Sequence, residues 1–201
     1  MTQPTLTYFD IATSRGEECR LALFLAGVPF TDERLNGPQW EERKASTPFG
    51  ALPVFTQDGR PPLAQSNAIL RMLGSQHGLL PADAWESARH EAVMCSVEEM
   101  RARLGPTGRL KDPDEKKRAR EALATGFFPE WGGQIEKQIS GPFLGGSGLS
   151  VADLKLFVAM TPLLEGKIDH VPPDTFKPFS RLRALVEAVK AHPKVAAWYA
   201  R

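Results

Sequence analysis

The sequence predicts two domains: an α/β domain of order βαβαββα over residues 1–80 and an all-α domain over residues 87–201, joined by a linker at 81–86. Three observations carry this. Short β-rich runs alternate with helical patterns through the first part of the chain. A proline-led strand, Leu52-Pro53-Val54-Phe55, is followed by Gln65-Ser66 opening an apolar helical run. After Pro81-Ala82 no strand candidate recurs and the patterns become long and helical.

Thr5-Leu6-Thr7-Tyr8-Phe9 is a β-rich run ending at Asp10. From Glu17 to Ala26, Cys19, Leu21, Ala22, Leu23, Leu25 and Ala26 recur at helical spacing, and Gly27 ends the helix. Phe30 to Leu35 is a second strand, completing a βαβ unit with a right-handed crossover. Trp40 to Ser46 is a short charged helix, after which Pro48-Phe49-Gly50 returns the chain to the proline strand. Pro53 cannot donate to a ladder, so it belongs at the strand's entry. Asp58-Gly59 is a hairpin signal leading to a short strand around Leu63. Ser66 then stands at the N-terminus of a helix carrying Ala68, Ile69, Leu70, Met72 and Leu73. The order βαβ, then ββα, is that of a thioredoxin-like domain.

Beyond the linker, Trp85 to Leu104 and Asp114 to Ile139 are long amphipathic segments. Gly105-Pro106-Thr107-Gly108 between them is expected to break or bend the chain, and Phe127-Phe128-Pro129 marks a kink in the second. Leu149-Ser150-Val151-Ala152-Asp153-Leu154 has the spacing of a capping box, Ser150 with Asp153, and of a staple, Leu149 onto Leu154. Phe179 to Val189 and Lys194 to Tyr199 are closing helices, with Pro193 in the first turn of the last.

A length of 201 residues and 42% hydrophobic content suffice for packed cores. A formal net charge of +1 with interspersed signs gives no reason to expect nucleic acid or a membrane as partner. No run reaches transmembrane length, and Met1-Thr2-Gln3-Pro4 leads into a strand without a signal-peptide pattern, so a cytoplasmic protein is expected. Cys19 and Cys95 fit reduced thiols, Cys19 either packing in the core or standing near the site. His77, His90, His170 and His192 share no ligand-like spacing, so no metal is expected.

The candidate site follows from two features. With a cis Leu52-Pro53 bond the N–H and C=O of Leu52 face outward, open to an extended peptide, and a hydroxyl at the N-terminus of the helix opened by Ser66 suits a carboxylate. Together they describe a site for a small peptide with a free carboxylate. On Leu52, Pro53, Gln65 and Ser66 the chain resembles the glutathione transferases, and the capping box at Ser150 extends the resemblance across both domains. The resemblance implies glutathione as substrate, with those four residues holding its backbone and γ-glutamyl carboxylate.

A free thiol of pKa ~8.5 is only about 3% ionised at pH 7, so the site must donate to sulfur. Leu6-Thr7-Tyr8-Phe9 looks like the opening of the tyrosine-type transferases, closest to the sigma-like class in a bacterial-looking variant, with Tyr8 as thiolate donor. The loop Asp10 to Ser14 is one residue longer than that pattern before Arg15-Gly16-Glu17-Glu18-Cys19-Arg20, which brings Ser14 into contention. The resemblance further implies Trp40 and Lys44 at the glycyl carboxylate, where Lys44 is otherwise a solvated lysine. Arg15 reaches the site or stays exposed; the resemblance also implies Glu99 of the partner subunit at the γ-glutamyl ammonium across a homodimer, with Phe49 either an apolar anchor between subunits or an ordinary core residue. A small hydrophobic electrophile is expected against Ile11, Met100, Arg103 and Leu104, closed by Trp198 or Tyr199. The rival readings are a non-catalytic carrier of glutathione or hydrophobic ligands, and a glutathione-dependent isomerase, lyase or peroxidase.

Overall fold

The structure is a computed structural model describing residues 3–201, so Met1 and Thr2 of the opening segment lie outside the described residues. Strand β1 (Thr5–Phe9) pairs in parallel with β2 (Thr31–Leu35) and antiparallel with β3 (Val54–Thr56), which pairs antiparallel with β4 (Leu63–Ala64). The sheet order is β2-β1-β3-β4. The parallel β1/β2 pair needs a crossover, and helix α1 (Ser14–Leu25) supplies it. Helix α1 begins three residues before the apolar pattern at Glu17, because its first turn, Ser14-Arg15-Gly16, carries no apolar signal. It packs against helices of both halves of the chain and is buried from Gly16 to Leu23, with Glu17, Glu18 and Arg20 out of solvent alongside its leucines.

Helix α2 (Gly37–Arg43) also starts before Trp40, because Asn36 and Gln39 form a capping box: the Gln39 N–H donates to Asn36 Oδ1 at 3.0 Å and the Asn36 N–H to Gln39 Oε1 at 2.9 Å. Two 3-10 turns, Lys44–Ser46 and Pro48–Gly50, lead to the cis Leu52-Pro53 bond and β3. Helix α3 (Ser66–His77) ends at left-handed Gly78, whose N–H donates to the Gly74 carbonyl.

Helix α4 (Ala84–Thr107) corrects one expectation. Gly105 and Pro106 do not interrupt it: the helix runs through both and stops at Gly108, since a proline in the last turn forgoes only one ladder bond there. The Thr107 hydroxyl donates to the Leu104 carbonyl at 2.7 Å in that turn. Helix α5 (Pro113–Ala122) is capped by Asp112 and passes through a π-helical turn, Leu123–Phe127, into α6 (Phe128–Glu136). The kink expected near Phe127-Phe128-Pro129 is this widened turn, placed where Pro129 has no N–H to donate and its ring crowds the preceding turn.

Helix α7 (Val151–Leu164) is buried continuously from Val151 to Met160, and α8 (Ser180–Ala191) and α9 (Pro193–Tyr199) follow. Asp153 accepts from the Ser150 N–H at 2.8 Å and the Ser150 hydroxyl at 2.6 Å through one oxygen, and from the Leu144 N–H at 2.7 Å through the other. The box therefore starts α7 and ties down the loop before it. Ser150→Ala should cost about 1 kcal/mol, whereas Asp153→Ala strands two buried amides and should cost about 3 kcal/mol in urea unfolding. Equal losses would mean that the tie to Leu144 contributes nothing.

Candidate active site

Tyr8 lies near the end of β1, buried, with its ring against the first turn of α1. That approach is possible because residue 16 is glycine: a Cβ there would fall 2.1 Å from the Tyr8 ring. The Tyr8 hydroxyl donates to Ser14 Oγ at 3.4 Å, so the two candidate thiolate donors are neighbours in one place. Ser14 holds φ 65, a left-handed conformation that costs a serine about 1–2 kcal/mol and is characteristic of constrained sites. The Phe9 ring stands edge-on to Tyr8 at 5.5 Å and to Trp40 at 5.9 Å, which brings α2 to the same end of the sheet.

Arg20, not anticipated as a site residue, fastens the intervening loop. Fully buried, it donates to the carbonyls of Ile11 at 2.8 Å and Phe9 at 3.1 Å and to the Asp32 carboxylate at 2.8 Å. Its signal in the sequence was an arginine directly before the leucine-rich part of α1.

The other side of the site is built on Ser66, the buried first residue of α3. Its Oγ accepts from Lys155 Nζ at 3.1 Å. Lys155 comes from α7 and is 0% exposed; its ammonium also donates to Glu18 at 2.5 Å and meets Glu98 at 2.6 Å. Glu98 in turn binds Arg15 at 2.6 Å and Arg101 at 2.9 Å, and Arg101 binds Glu18 at 3.0 Å. Contacts thus run unbroken from Trp40 through Tyr8 and Ser14 to the segment opening α1, where Arg15 continues through Glu98 and Lys155 to Ser66. Burial alone would raise the Glu98 carboxyl, but Lys155, Arg101 and Arg15 together pull it down to about 2. Cys19 is fully buried, and burial with the adjacent Glu18 carboxylate holds its thiol well above the usual range, which suits packing rather than chemistry.

Gln65, exposed at φ 73, precedes α3, and Pro53 is buried at the entry to β3. Among the described residues neither the N–H nor the C=O of Leu52 pairs with another backbone group. Lys44 is exposed in the first 3-10 turn, Glu99 is exposed on α4, and Phe49 stands 81% exposed at φ 59.

The expected second-substrate residues fare less well. Met100 is 1% exposed: it continues the inward face Val93, Met94, Val97 of α4 and belongs to the core. Arg103 lies over the Phe127 ring at 4.4 Å, and Leu104 packs half-buried on the core. Ile11 is exposed on the loop after β1. Two residues further along that loop, Ala12 and Thr13, border a largely apolar cavity of about 480 Å³ with Phe157, Val158, Pro162 and Tyr199, which Glu165, Lys167 and Lys190 also line. Trp198 is a buried anchor whose indole N–H donates to Glu17 at 2.7 Å, so of the two closing aromatics only Tyr199 reaches this cavity.

Two outcomes follow from this geometry. Gly16→Ala should destabilise the fold by about 2 kcal/mol in urea unfolding through overpacking against Tyr8, and the penalty should disappear in a Tyr8→Ala background. Glu98 has a folded-state value of about 2, below its unfolded ~4.3, so its pairing stabilises the fold fully above that value and is lost as pH falls toward 2. The stability gap between the native chain and Glu98→Gln, followed by unfolding at a series of pH values, should therefore close between about pH 4.3 and 2.

Comparison with known proteins agrees with this geometry. A family model described as the glutathione S-transferase N-terminal domain matches residues 4–75, and one described as the C-terminal domain matches residues 100–201. The chain is 31% identical to glutathione S-transferase 1 of Ascaris suum, covering 100% of this chain and 97% of that protein. It is 33% identical to hematopoietic prostaglandin D synthase of Gallus gallus, covering 96% and 93%. Among solved structures, prostaglandin synthase D of Nilaparvata lugens superposes with TM-score 0.86 at 28% identity over 100% and 98% of the two chains. The glutathione S-transferase of Ascaris lumbricoides does so with TM-score 0.82 at 30% identity over 99% and 97%. With both domains matched and relatives above 30% identity running its full length, the chain belongs to the glutathione S-transferases, enzymes that take glutathione as substrate.

Proposed function

We propose that this transferase is of the tyrosine type, closest to the sigma-like class, and activates glutathione as a thiolate for attack on a small hydrophobic electrophile. The observation that carries the reading is the buried Tyr8 hydroxyl, aimed at Ser14 Oγ and so at the N-terminus of α1. A phenol there donates to sulfur and favours the thiolate, and the first turn of α1 adds a favourable dipole. Glutathione lies extended along Leu52 and Pro53, with its γ-glutamyl carboxylate on Ser66 and the Gln65 segment. Arg15 lines the same pocket, and Trp40 with Lys44 takes the glycyl carboxylate.

The enzyme is a cytoplasmic homodimer in this reading, acting in detoxification. Glu99 of the partner subunit meets the γ-glutamyl ammonium, and Phe49, too exposed for a core role, is the apolar anchor between subunits. The electrophile occupies the apolar cavity beside Ala12, Thr13 and Tyr199, which replaces Met100, Arg103 and Leu104 as its lining. A second reading, a glutathione-dependent isomerase on the same site, is favoured by the 33% identity to the Gallus gallus synthase.

Spectroscopic titration of the bound thiol tests the donor. If Tyr8 lowers the thiol pKa by ~2 units, it supplies about 2.7 kcal/mol to the thiolate. Tyr8→Phe should then return the apparent value toward ~8.5 with little change in glutathione affinity, while Ser14→Ala leaves it in place. The reverse pattern moves the donor to Ser14 and the enzyme out of the tyrosine-type group. An unchanged titration in both variants leaves the helix N-terminus as the source of stabilisation.

A further inference from the structure

We propose that Lys155 is a positioning residue for glutathione binding, acting through Ser66 on the γ-glutamyl carboxylate; this rests on the reading that Ser66 receives that carboxylate. Lys155 belongs to α7, in the half of the chain that otherwise faces the electrophile, yet its ammonium ends at the helix that opens the peptide site. An ammonium has three donors and no acceptor. All three are used here, on Glu18 at 2.5 Å, Glu98 at 2.6 Å and Ser66 Oγ at 3.1 Å.

The consequence is directional. Ser66 Oγ must accept from Lys155, so its single hydrogen is turned away from the ammonium, and no acceptor among the described residues takes it. A hydroxyl that accepts from a cation is polarised into a stronger donor. The local charge agrees: Arg15, Arg101 and Lys155 face only Glu18 and Glu98, so the cluster carries one positive charge in excess, the complement of one carboxylate. A structural role alone explains less, because a buried ion network is commonly no more stabilising than apolar side chains of the same volume.

The probe is 4-aminobutyryl-cysteinyl-glycine, which keeps the thiol, the ammonium and the glycyl carboxylate of glutathione and lacks only the γ-glutamyl carboxylate. Calorimetric titration of both peptides into the full-length enzyme should show wild type and Lys155→Met binding the analogue within twofold of each other. Glutathione should bind Lys155→Met about tenfold more weakly than wild type, as expected for loss of a charge-assisted contact. Lys155→Met/Glu18→Gln, which keeps the cluster's net charge, should behave the same way and serves if the single variant does not fold. Ser66→Ala, with Lys155 in place, should also lose affinity for glutathione alone. Equal weakening of both peptides by the Lys155 variants would reduce Lys155 to a structural tie and overturn the proposal, as would no weakening at all. Wild type binding the two peptides equally well would instead overturn the placement of the carboxylate at Ser66, and the proposal with it.

Discussion

An ammonium taken wholly out of water costs several kcal/mol unless carboxylates and hydrogen bonds surround it, and meeting that cost for Lys155 constrains much of the molecule. Glu18 comes from α1 and Glu98 from α4; Arg101 binds both carboxylates and Arg15 binds Glu98. Helices from both halves of the chain are thereby fixed against one another at one point, with Ser66 at its edge. Removing either carboxylate leaves the buried Lys155 ammonium under-compensated, which is far more damaging than replacing the whole group with apolar side chains. The two domains are therefore joined by polar geometry as well as by apolar contact, and polar geometry is directional.

The same economy governs the opposite wall of the site. Arg20 satisfies two loop carbonyls and Asp32 at once, so the chain between β1 and α1 is pinned by a side chain from the helix it leads into. Gly16 lets the Tyr8 ring lie on that helix, and the ring in turn sets the hydroxyl beside Ser14. In the loop from Asp10 to Ser14 the left-handed backbone of Ser14 marks where the chain is forced.

Much of this was legible without coordinates. Pro53 before an apolar strand, Ser66 before an apolar helix and the spacing of Ser150 with Asp153 are local signals, and local signals survive folding. The boundaries missed were those set by polar caps, as at Asn36 with Gln39, or by a proline near a helix end, as at Pro106. Met100 was misplaced because a methionine on a helix facing a pocket and one facing the core read alike until the neighbouring helices are in position. Lys155 was invisible for the opposite reason. A lysine in an apolar helix suggests either an exposed stripe or a buried partner, and its partners stand at sequence separations no pattern reaches.

The energetics of thiol activation show why so much of the chain is committed to position. Lowering the glutathione thiol pKa by ~2 units raises its ionised fraction at pH 7 from about 3% to roughly three quarters, a ~25-fold gain. A less basic thiolate is also a poorer nucleophile, and with a Brønsted slope near 0.45, taken from thiol exchange, that gain shrinks to about threefold in rate. If Tyr8 is the thiolate donor, as proposed, its phenol therefore supplies little of the acceleration by itself. The larger share must come from holding sulfur and electrophile in contact, where effective molarities are worth several kcal/mol. Such holding demands a peptide anchored far from its sulfur and a pocket wall that does not drift. Under the proposed placement of the carboxylate at Ser66 and the thiolate at Tyr8, the contacts from Ser66 through Lys155 and Glu98 to Arg15 meet both demands, because they put the carboxylate anchor and the thiolate side of the site on one connected frame.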